Sequence, residues 1–115
     1  MTLSKIAFKV NITPAEALEQ VKKYQTSAGS DLIHEELYDL GEDRAIGTLV
    51  FQKYYFRAGN RAALVVIADN LKGYSEVRAI ATGSSQSVLF NFDWGAADDY
   101  SASVREALKA HVLEE

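Results

Sequence analysis

The chain has 115 residues, 48% hydrophobic and 24% charged, the size and balance of one soluble globular domain spanning residues 1–115. It has no cysteine, which excludes disulfides, thiolate metal sites and cysteine nucleophiles. Twelve basic and 16 acidic residues give a net charge of −4, so nucleic acid and anionic membrane are not expected as partners, because phosphate neutralisation needs clustered Lys and Arg.

Lys5 and Lys9 lie in an N-terminal segment without the apolar stretch of a signal peptide. The longest apolar run, Ala62 to Ala68, is too short to span a bilayer, and a cytoplasmic location is expected. Residues 4–11 alternate, with Ile6, Phe8 and Val10 on one side and Lys5, Ala7 and Lys9 on the other, and predict a half-buried strand. Thr13-Pro14-Ala15-Glu16 then starts a helix: Thr13 suits the N-cap, Pro14 the first helical position, and Glu16 completes a capping box. Ala17, Leu18, Val21 and Tyr24 form its apolar face, and Gly29 stops it.

Residues 31–40 place Leu32, His34, Glu36 and Tyr38 on one face and Ile33, Glu35 and Leu37 on the other. Neither face is cleanly apolar, the pattern of a charged edge strand. Gly41-Glu42-Asp43 reads as a turn into a long strand over 44–56, and Ala58-Gly59-Asn60 as the next hairpin turn. Residues 61–69 are apolar on both faces, which predicts a central strand covered on both sides. A turn over 70–73 leads to a meander strand over 75–82. A Gly/Ser loop, 83–87, precedes an aromatic run (Phe90, Phe92, Trp94), and a last helix is expected over about 96–113, with Ala97, Tyr100, Val104, Leu108, His111 and Val112 on one stripe.

The order β-α-β-β-β-β-(β)-α with short turns implies an α+β domain: an antiparallel meander sheet of four to six strands with two helices on one face. A long C-terminal helix across such a sheet is helix-grip-like by analogy, which carries nothing about function.

At Phe90-Asn91-Phe92-Asp93-Trp94-Gly95-Ala96, together with Thr13-Pro14-Ala15-Glu16-Ala17-Leu18 and Lys53-Tyr54-Tyr55, the chain resembles a family of small uncharacterised proteins from Gram-positive bacteria, a domain of unknown function. The resemblance runs over nearly the whole chain. It implies a stand-alone bacterial domain with no assigned activity, and it assigns no catalytic residue.

Two groups of residues are candidates for binding. The first is Ser84, Ser85 and Gln86 with Asp93 and Trp94: small polar donors, an indole and a carboxylate beside a helix start, suited to a polar or anionic ligand. The plainer reading is a strand connection, a core aromatic stripe and a helix cap. The second is Tyr54, Tyr55 and Arg57 with Arg78 on a neighbouring strand, an aromatic-basic set suited to an interface; here the plainer reading is solvated strand surface. No nucleophile elbow, P-loop or acid-base pair is visible, and His34 and His111 lie far apart in sequence. No enzymatic activity, metal or cofactor is therefore expected. The favoured function is a non-enzymatic interaction domain that covers its open sheet face by self-association or with a protein partner. The alternative is a small-ligand module with a pocket between sheet and C-terminal helix.

Overall fold

The computed structural model of the chain describes residues 2–55, 60–84 and 94–113. Five strands, β1 (Thr2–Val10), β2 (Asp31–Gly41), β3 (Arg44–Tyr55), β4 (Asn60–Asp69) and β5 (Ser75–Ser84), form one sheet in the order β1-β5-β4-β3-β2. All four pairings are antiparallel. Helix α1 (Pro14–Ser27) carries the chain from β1 at one edge to β2 at the other, and α2 (Trp94–Ala107) follows β5.

The α1 start obeys its sequence. The Glu16 amide donates to Thr13 Oγ1 and the Thr13 amide to Glu16 Oε1, both at 3.1 Å, and these bonds to Thr13 hold the Glu16 carboxyl below its ordinary pKa. At the other end Gly29 adopts φ +94°. The Ser30 amide then reaches back to the Gln25 carbonyl at 2.9 Å, a Schellman-type stop that only a residue comfortable at positive φ supports.

Both helices cover the same face. On it lie Phe8 and Val10 of β1, Leu49 and Phe51 of β3, Leu64 and Val66 of β4, and Val77 and Ala79 of β5, all buried. Ala17, Leu18 and Val21 of α1 and Ala97, Tyr100, Val104 and Leu108 from the α2 side complete this core. Two spots show how closely the layers meet. A Cβ at Gly47 would collide with Leu18 Cδ1 and lie 2.9 Å from the Glu36 carbonyl, so α1 seats Leu18 where β3 has no side chain. The helices join each other through buried polar groups: Gln25 Nε2 donates to Ser103 Oγ at 2.7 Å, and Ser30 Oγ meets the Tyr100 hydroxyl at 2.9 Å. Burial pushes the Tyr100 phenol up to about 12.

The C-terminal helix is shorter than its periodicity predicts. It ends at Ala107, a single 3-10 turn covers Lys109–His111, and the tail turns back onto β1. There Val112 bridges Val10, the Asn11 amide donates to the His111 carbonyl and the Leu113 amide to the Lys9 carbonyl, both at 2.9 Å. Pairing with the otherwise bare end of β1 satisfies the backbone better than another helical turn in solvent. His111 accordingly leaves the expected apolar stripe, and its ring meets Gln20 Nε2 and Asn11 Oδ1, each at 3.2 Å.

Candidate functional site

The sheet face opposite the helices is open, and the register fixes what it presents. Its centre is a patch of half-buried aliphatics: Ile46 and Val50 of β3, Val65 and Ile67 of β4, and Ile80 of β5. Val50, Val65 and Ile80 are directly opposite one another across three strands, and β-branched side chains in such rows suit a pleated surface. The expectation of a central strand is met, since β4 is the middle strand, but not that of cover on both sides: one face is buried under the helices and the other lies on the open face.

The two borders of this face carry opposite charge. On β1, Lys5 is exposed and Lys9 lies over the Tyr74 ring, 4.4 Å from its centroid. On β2, His34, Glu36 and Tyr38 stand side by side at two-residue spacing. His34 Nε2 is 2.7 Å from Glu36 Oε1, and the Tyr38 hydroxyl donates to Glu36 Oε2 at 3.1 Å. These two bonds, the imidazole's first, hold the Glu36 carboxyl below its ordinary pKa, and the same contact raises the Tyr38 phenol. An ionised Glu36 makes Nε2 of His34 the donor. The ledge thus centres on a fixed carboxylate, able to receive a cation or a hydrogen-bond donor.

The sequence-derived candidates fall in three places. Ser85, Gln86, Asp93 and Arg57 lie outside the described residues. By backbone position Ser84 ends β5, Tyr55 ends β3 and Trp94 opens α2. Tyr54 is exposed on the open face, opposite Arg61, which is itself opposite Ser84. Arg78 shares that face but pairs with Ile67, about 20 Å along β4 from the Tyr54 row, so Tyr54 and Arg78 do not form one cluster. Arg78 is tied instead to Asp69, a carboxylate with 6% side-chain exposure, by Nη2 at 3.2 Å, while Asp69 also accepts from the Leu71 amide at 3.1 Å. Among the described residues, no three His, Asp or Glu side chains converge as metal ligands.

Sequence reasoning did place His34, Glu36 and Tyr38 on one face, but took the row for edge-strand charge. It missed a groove on the other side of β2. There a cavity of about 160 Å³ opens between α1 and β2, with Ala15, Leu18, Leu37 and Leu49 as its apolar lining and Glu19, Lys22 and Glu35 at its rim. Lys22 Nζ bridges Glu35 at 3.1 Å and Glu19 at 3.5 Å, and these carboxylates raise the Lys22 pKa. No local signal announces the groove, because it exists only where α1 crosses above the sheet edge.

Residues 3–112 match a family of unknown function, DUF6054. The chain belongs to this family. No curated protein and no solved structure matches the chain significantly. Membership of DUF6054 agrees with the resemblance drawn from the sequence in one respect, a family of unknown function over nearly the whole chain, and brings no activity with it. Among the described residues, no helix is long and apolar enough to cross a membrane.

Proposed function

We propose that this DUF6054 domain is a non-enzymatic interaction module of the Gram-positive bacterial cytoplasm that closes its open sheet face against a second copy of itself. The observation that carries this reading is the half-buried, contiguous aliphatic patch of Ile46, Val50, Val65, Ile67 and Ile80 on the helix-free face, since contiguous apolar surface of this kind marks interaction sites. Five strands about 4.8 Å apart and about nine residues long present roughly 700 Å², close to the ~800 Å² per partner of a stable complex.

Charge complementarity favours a second copy as the occupant. A two-fold axis parallel to the strands lays β1 of one protomer over β2 of the other. Lys5 and Lys9 then face the His34–Glu36–Tyr38 ledge of the other protomer while the aliphatic patches meet at the centre. Static light scattering across micromolar concentrations tests the reading. The parent chain is expected as a dimer and Val65→Lys as a folded monomer. A parent chain that stays monomeric throughout overturns the proposal.

A further inference from the structure

The two edges of the sheet are finished differently. The β1 edge is partly closed by the C-terminal tail at Val10 and Val112. Among the described residues, no strand pairs with the outer edge of β2. Natural edges are usually short, covered or blunted by lysine and proline, yet β2 is 11 residues long and contains neither. Ile33, Leu37, Tyr38 and Leu40 of β2 are all more than half exposed. Register shifts bend the strand between Leu32 and His34 and again between Asp39 and Gly41. Between them, His34 to Asp39 pairs with β3 without interruption and offers a straight edge of six residues.

We infer that this edge is a docking site for an extended segment of another protein whose side chains alternate between apolar and cationic. Strand addition places successive side chains of the incoming segment on opposite faces. Those on the helix side enter the groove against Leu18, Leu37 and Ala15 of the α1–β2 cavity, which calls for apolar residues. Those on the other side lie beside the Glu36 row, about 5 Å away across the new strand pair, which calls for Lys or Arg. The charge of β2 supports this choice: it holds Asp31, Glu35, Glu36 and Asp39 and no Lys or Arg. A second copy of β2 paired at this edge would bring eight carboxylates together, so the occupant is a different, basic segment. The unpaired backbone edge and the groove lie outside the open-face contact, and only the Glu36 row is common to the two sites; the docking site therefore does not require that contact to form.

The test uses the full chain, labelled with ¹⁵N, titrated with a synthetic six-residue peptide alternating valine and lysine and with an isomer carrying the same residues in two blocks. The alternating peptide is expected to shift the amides of Glu35 to Asp39 and of the facing α1 residues, and to bind about tenfold more tightly than the block isomer. Leu37→Ser, exposed and therefore tolerable to the fold, is expected to weaken binding by about tenfold. Equal binding of the two isomers would reduce the effect to net charge and overturn the inference. So would shifts confined to the open face, no binding at millimolar peptide, or a β2-to-β2 dimer of the free chain seen by cross-edge contacts.

Discussion

Replacing Gly47 by alanine tests the fit between α1 and the sheet with a single methyl group. In open solvent the change would favour a strand by about 0.5–1 kcal/mol, because glycine loses more backbone freedom on folding. Here the new Cβ would meet Leu18 Cδ1, with the Glu36 carbonyl at 2.9 Å and Leu37 Cδ1 at 3.0 Å. The carbonyl belongs to a paired strand and cannot move alone, so Leu18, itself 6% exposed, must leave its rotamer or lift α1. Overpacking of this sort costs about 1–3 kcal/mol. The net expectation is a loss of about 1–2 kcal/mol, or about 4–8 °C in Tm for a domain of this size. Urea unfolding followed by circular dichroism, at one fixed protein concentration, measures it. Leu18→Ala alone is expected to cost about 2–4 kcal/mol. Combined with Gly47→Ala it should cost less than the sum by about 1 kcal/mol, since the methyl then fills part of the vacated space. A Gly47→Ala chain as stable as the parent would refute the argument that Leu18 occupies that position.

Three other outcomes are expected. The Tyr100 phenol, raised to about 12 in the fold, ionises near 10 when unfolded. Its contribution is therefore complete below pH 10 and lost as pH rises towards 12, by about 2 kcal/mol; the slope of urea midpoint against pH over that window should flatten in Tyr100→Phe, and an unchanged slope would remove the buried phenol from the account. Asn70 ties two turns together, donating from Nδ2 to the Asp43 carbonyl at 2.7 Å and accepting from the Ala45 amide at 2.9 Å. Asn70→Ala should cost about 1–3 kcal/mol in the same unfolding assay, and a neutral result would show those turns to be independent. Finally, Glu36→Lys and Lys5→Glu should each weaken the proposed dimer severalfold, and their mixture should recover a heterodimer by light scattering. If the mixture recovers nothing, the strand-parallel two-fold axis is wrong.

Much of the fold was legible because it is written in local pattern. The capping box at Thr13 and Glu16, the two-sided apolarity of Ala62 to Ala68 and the mixed faces of residues 31–40 each have one economical structural reading, and each is met: a capped helix, a middle strand, an edge. The end of the last helix was not legible. Leu108, His111 and Val112 keep helical spacing, but the backbone of His111 and Leu113 pairs with Asn11 and Lys9, about 100 residues away, and periodicity carries no information about a distant strand's unpaired groups. The site divides in the same way. The His34–Glu36–Tyr38 row follows from strand alternation, whereas the groove beside it depends on where α1 crosses, a property of the assembled layers.

The placement of β1 bears on the order in which the molecule is assembled. β2 to β5 follow one another in the chain at separations of only a few residues, but β1 must find β5, with Thr2 against Gly83. Closing a loop of that length rather than a hairpin turn costs roughly 3 kcal/mol more in chain entropy, offset only when Phe8 and Val10 reach the core. Loop entropy alone thus favours an order in which the meander forms before β1 docks and the C-terminal tail seals it. The same order, reversed, makes the β1 edge the place where the native sheet opens most cheaply.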